Sequence, residues 1–106
     1  MDKRITKLVN RIKNYLLQEY GDKIKNVILY GSQARGSATK HSDIDVIVLV
    51  DDSIDPFDVR RSLSNLLFDI LLEDKEFISV VVLPKSFFEN YNYPFMRNVK
   101  KDGVNV

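Results

Sequence analysis

The chain has 106 residues, 44% of them hydrophobic, and its 16 basic side chains nearly balance 15 acidic ones for a net charge of +1. That length suits a single domain over residues 1–106, and so even a balance argues against a dedicated nucleic-acid binder, whose footprint is a strongly basic face. The absence of cysteine excludes disulfides, thiolate zinc sites and cysteine nucleophiles.

The opening stretch MDKRITKLVNRIKNY is charged throughout and lacks the apolar segment of a signal peptide. No apolar run reaches the roughly 18 residues of a membrane span. A cytoplasmic protein without a membrane partner is therefore expected. Ile5, Leu8, Val9, Ile12, Tyr15, Leu16 and Tyr20 recur at the spacing of an amphipathic helix, which Gly21 is placed to stop. Ile24 to Tyr30, rich in β-branched and aromatic residues, predicts a strand. Gly31 to Gly36 predicts a turn followed by one helical turn.

Asp43 to Val50 predicts a second strand, apolar on both faces beyond Asp45 and so central in its sheet. Only a loop joins it to the first, which predicts an antiparallel pair. Asp55 is a candidate N-cap with Pro56 at the first helical position. Phe57, Leu63, Leu66, Leu67, Ile70 and Leu71 are the expected buried stripe of that helix. Phe77 to Leu83 predicts a third strand stopped by Pro84, and Lys85–Tyr91 and Pro94–Lys101 predict two short helices, the second closed by Gly103. The order α-β-β-α-β-α implies an α+β fold, a small mixed sheet covered by helices.

The chemistry concentrates in VILYGSQARGSATKHSDIDVIVLV, Val27 to Val50. Alternation puts Asp43 and Asp45 on one face of their strand, about 6.6 to 6.8 Å apart along it. Two ionised carboxylates there repel, and burying them unpaired costs several kcal/mol, on the order of a broken buried ion pair. Lysine or arginine could offset this; Mg²⁺ does so more economically, because it takes carboxylate oxygens together with substrate phosphates. Alone, the D-x-D reads as a turn cap and a solvated strand end. Gly31-Ser32 adds a backbone that can approach a ligand closely, turn amides that can receive phosphate oxygens, and a hydroxyl donor. Ten residues, Gln33 to Ser42, then separate the pair from Asp43, enough for a reversal onto a neighbouring strand.

Gly31-Ser32, ten residues, then Asp43-Ile44-Asp45 resembles the G-S-x10-D-x-D signature of the nucleotidyltransferase superfamily with the DNA polymerase β-like fold. The surrounding stretch looks most like the minimal, MNT-type domains of prokaryotes. The resemblance implies a nucleoside triphosphate, ATP in this group, with its terminal phosphates on Gly31 and Ser32. It implies Asp43 and Asp45 as catalytic, metal-binding carboxylates for Mg²⁺, and transfer of a nucleotide to an acceptor hydroxyl. Arg35 and Lys40 lie between the two halves; Arg35 is the better phosphate ligand because its fork binds two oxygens. Its alternative is a solvated loop residue or a partner to a nearby acid. His41, the only histidine, precedes Ser42-Asp43 and reads as a bystander or an aspartate-orienting group.

One feature of the family pattern is missing. Active members add a third carboxylate on a later strand, and in FISVVVL the matching polar residue is Ser79, which cannot act as a base. Glu76 is a substitute only if a bulge turns it, since alternation places it on the opposite face. Otherwise it is a turn acid beside Glu73 and Asp74.

Minimal domains of this type act as antitoxins beside a helical HEPN protein, onto which they transfer AMP. Phe87, Phe88, Tyr91, Tyr93, Phe95 and Met96 offer either a docking surface for such a partner or a cover for the sheet. Arg97, Lys100 and Lys101 read as a solvated basic face. Three readings follow: an AMP-transferring antitoxin, a nucleotide-binding subunit that inhibits its partner by complex formation alone, and a transferase for a small molecule or RNA end whose acceptor site is built in a homo-oligomer.

Overall fold

In the computed structural model, residues 2–36 and 43–106 are described. Helix α1 (Lys3–Tyr20) starts where the Asp2 side chain accepts a hydrogen bond from the Arg4 amide, 2.8 Å. It buries Ile5, Leu8, Val9, Ile12 and Leu16, the stripe its 3.6-residue period dictates. Gly21 ends it at φ +57, donating its amide to the Leu17 carbonyl, and a short 3₁₀ turn leads into β1 (Ile24–Tyr30). A four-residue helix, α2 (Ser32–Arg35), follows, and then β2 (Ile44–Val50).

Asp55 caps α3 (Pro56–Ser62) by accepting from the Phe57 amide. Helix α4 (Ser64–Asp74) follows directly, then β3 (Ile78–Pro84), α5 (Lys85–Asn90), α6 (Pro94–Asp102) and β4 (Val104–Asn105). The strand order is β3-β2-β1-β4. Strands β1 and β2 are antiparallel, as their loop connection predicts, and β4 is antiparallel to β1. Strand β3 runs parallel to β2, which the α3–α4 crossover makes possible. The mixed sheet covered by helices is the α+β architecture expected from the element order.

Strand β2 is buried on both faces. Ile44, Val46, Val48 and Val50 pack with α1, α3 and α4, while Ile47 and Leu49 pack with Phe88, Met96 and Val99 of α5 and α6. The structure corrects one expectation and adds one element. The single helix after Pro56 is broken at Leu63, so the apolar stripe changes register: Val59, Leu63 and Ile70 are fully buried, whereas Phe57 is 73% exposed and Leu71 faces solvent. The added element is β4, a two-residue strand that the sequence pattern did not suggest, held by tertiary pairing to Ile28 and Leu29. Among the described residues no helix is long and apolar enough to cross a membrane.

Candidate active site

The antiparallel register sets Tyr30, the last residue of β1, across from Asp45, the second of β2. The parallel register sets Ser79 on the other side of Asp45. Tyr30, Asp45 and Ser79 thus form one row across three strands. Alternation places this row on the face that carries Ile47 and Leu49, toward α5 and α6. Asp43 stands two residues upstream of Asp45, just before the strand, and is exposed where Asp45 is partly buried.

Gly31 brings the two halves of the motif together. Its φ of +75 lies in the left-handed region that favours glycine, and a Cβ added there would stand 2.6 Å from Asp45 Oδ2. The absent side chain is the space the carboxylate fills. The turn beyond closes with the Arg35 amide donating to the Gly31 carbonyl, 3.1 Å, and a second left-handed glycine, Gly36, ends it.

Electrostatics ties the same residues into one cluster. Burial, and then the charge of Asp43, push the Asp45 carboxyl above the usual aspartate range; the Arg35 guanidinium pulls it back only in part. Tyr30 is pushed up as well, by burial first and the Asp45 charge second. The structure therefore brings together Gly31, Asp43, Asp45 and Arg35 of the sequence-derived site, and the backbone of Ser32 as the first residue of α2. The Ser32 hydroxyl, Lys40 and His41 lie outside what is described.

No other aspartate, glutamate or histidine joins the acid pair among the described residues. Glu76 is turned away, its carboxylate paired with Arg4 of α1 on the opposite side of the sheet. Tyr30 is the site neighbour that sequence reasoning missed. Its position next to Gly31 was a signal, but only the pairing register puts it against Asp45.

With this geometry in view, a family model for "Polymerase beta, Nucleotidyltransferase" matches residues 10–104. The chain belongs to that nucleotidyltransferase family. A relative from Methanocaldococcus jannaschii, whose name carries an inferred protein adenylyltransferase activity, is 33% identical over 96% of this chain and 93% of its own. The nucleotidyltransferase fold recurs in an inferred nucleotidyltransferase of Sulfolobus solfataricus, at TM-score 0.66 and 21% identity over 96% of this chain and 78% of that one. It recurs in a toxin–antitoxin structure with AMP-PNP, at TM-score 0.58 and 20% identity over 90% and 69%. A complex of tri-AMPylated Shewanella oneidensis HEPN toxin with MNT antitoxin also aligns, at TM-score 0.56 and 21% identity over 95% and 70%.

Proposed function

We propose that this chain, as a single minimal domain over residues 1–106, transfers AMP from ATP to a hydroxyl on a HEPN-type helical protein in the cytoplasm and so acts as its antitoxin. The observation that carries the reading is the seating of the Asp45 carboxylate under Gly31. A phosphate-binding turn and an acid pair are then parts of one site. The relative named for protein adenylyl transfer and the toxin–antitoxin neighbours support the choice of substrate and partner.

The acid pair suits Mg²⁺. Asp43 and Asp45 supply hard oxygen donors, and with Arg35 offsetting the repulsion only in part, their ionised forms favour a further cation. Asp43 and Asp45 would hold the ion, whose role when bound is to neutralise phosphate charge and stabilise the attacking and leaving oxygens. The turn at Gly31-Ser32 receives the β- and γ-phosphates through its amides, and Arg35 adds a cationic contact. The acceptor oxygen attacks the α-phosphorus in line and the bond to pyrophosphate breaks. The hydroxyl proton goes to water, because Ser79 cannot take it.

A second reading rests on Ser79 itself. It occupies the row of Asp45, where the family pattern that the sequence resembles would place an acid, so inhibition by complex formation without transfer is the alternative. Incubation with ATP, Mg²⁺ and the HEPN-type product of the neighbouring gene distinguishes the two. Intact-mass growth of that protein by AMP units supports transfer; inhibition of its ribonuclease activity at unchanged mass supports the alternative. If neither occurs, both are wrong.

A further inference from the structure

Two groups of large apolar side chains face solvent, and they differ in kind. Phe68, Leu71, Leu72 and Phe77 mix aliphatic and aromatic residues near the outer edge of β3. Nothing links that patch to the acid pair or shows what covers it. The other group is aromatic only. Phe87, Tyr91 and Tyr93 stack on one another, with Phe87 and Tyr91 centroids 4.8 Å apart and the two tyrosine planes within 4° of parallel. Tyr91 and Tyr93 remain 50% and 54% exposed.

This wall stands on the same side of the sheet as Asp45. Phe87 packs against the Ile47–Leu49 cluster that Tyr30 also joins. Phe95, two residues beyond Tyr93, meets the Tyr30 ring edge-on at 6.2 Å, and Tyr30 lies directly across from Asp45. The acid pair and the wall thus share one face of the sheet, with the Tyr30–Phe95 ring pair beside Asp45 and Phe95 two residues from Tyr93 in the chain. The loop between α5 and α6 that carries the tyrosines is tied down where the Lys100 ammonium donates to the Tyr91 carbonyl, 3.5 Å, while lying 5.1 Å over the Phe88 ring.

We infer that the Tyr91–Tyr93 wall is the subsite for the nucleobase of the triphosphate, which stacks on the exposed tyrosine faces. The inference rests on the proposed phosphate site at Gly31 and Asp45, and it deepens that reading by placing the base. Stacking is the chemistry such a surface offers, since every base has a π-face and flat, pre-stacked rings lose little freedom on binding. Exposed aromatics suit protein partners as well; what favours the base is that this wall stands on the face of the sheet that carries Asp45.

The test is equilibrium binding of Mg-ATP and of Mg-tripolyphosphate, which has no base, to the wild-type chain, Y91A/Y93A and Y91F/Y93F. Both tyrosines are exposed, so circular dichroism should show all three folded. The expected result is an affinity for Mg-ATP about tenfold or more lower in Y91A/Y93A, unchanged tripolyphosphate binding, and recovery of ATP binding in Y91F/Y93F. Equal loss of both ligands, or no loss of ATP, overturns the base subsite while leaving the phosphate site standing. Loss of binding to the HEPN-type protein with ATP binding intact overturns it in favour of a protein-docking surface. If the wild type binds neither triphosphate, the phosphate-site reading falls and takes this one with it.

Discussion

Strand β2 carries an aspartate near each end, and the two are treated in opposite ways. At the exit, Asp51 accepts from the Ser53 amide, 2.9 Å, and has the Lys23 and Lys25 ammonium groups at 3.7 and 3.9 Å. Its carboxyl is held below the usual range, by the Ser53 hydrogen bonds first and the lysines after. At the mouth, Asp45 sits partly buried beside another acid, and its carboxyl is pushed up. The same residue type on the same strand is compensated at one end and left short of positive charge at the other. Fold stability alone does not call for the second arrangement; the proposed cationic ligand would account for it.

The strongest way to break the comparison is D45N. Loss of one hard anionic donor should lower AMP transfer, or Mg-ATP affinity if transfer is absent, by about 100-fold or more. Calorimetric titration with Mg-ATP checks it, and equal affinity for both proteins would remove Asp45 from the site. The same variant sharpens the electrostatic point. Because the folded-state value of Asp45 is raised, ionisation weakens the fold as pH rises through the carboxylate range. Without divalent ions, D45N should therefore melt above the wild type at pH 7, and the gap should close below about pH 4, where the unfolded carboxyl is also protonated.

G31A tests the contact between the two halves of the motif. A methyl group 2.6 Å from Asp45 Oδ2, on a residue at φ +75, must displace the carboxylate or the turn. The strained backbone costs about 1–2 kcal/mol, a fall in melting temperature of about 4–16 °C for a domain of this size. Transfer should drop about 100-fold, the scale expected when a reacting group is misplaced by an ångström. A variant with wild-type melting and activity would show that the closeness has no functional meaning.

S79D works in the other direction. An acid introduced beside Asp45 should raise transfer about tenfold or more if a missing base limits the rate. It should also lower the melting temperature in the absence of Mg²⁺, since a third carboxylate adds repulsion, and Mg²⁺ should restore it. Unchanged transfer with intact nucleotide binding would mean that Ser79 is not what limits the reaction.

Much of this site could be read from the chain because its signals are local. The Gly31 turn and Asp45 at the mouth of β2 depend on backbone freedom and strand pattern, and Asp55-Pro56 starts a helix by its own chemistry, whereas Asp43, expected inside the strand, stands just before it. What escaped was tertiary. The helix break at Leu63 has neither glycine nor proline to announce it; Leu63 keeps right-handed helical angles and donates its amide to Arg60. Strand β4 exists because Gly103 lets the chain lie close to Ile28, where an added Cβ would be 2.7 Å from its side chain. Tyr30 meets Asp45 only through register, and Glu76 is fixed by an arginine more than seventy residues earlier in the chain.

The smallest effect belongs to the compensated end. For Asp51 the folded-state value is depressed, so its contribution is present above the unfolded carboxyl value and is lost as pH falls through the folded one. D51N should therefore melt slightly below the wild type at pH 7, and the difference should vanish in acid, the reverse of D45N. Salt should shrink it further, because the two lysine contacts are solvent-facing and screened. Mg-ATP binding should not change at all. An Asp51 variant that weakened nucleotide binding as much as D45N would mean that both ends of β2 act on the site together, and the contrast between a structural aspartate and a ligand-seeking one would no longer hold.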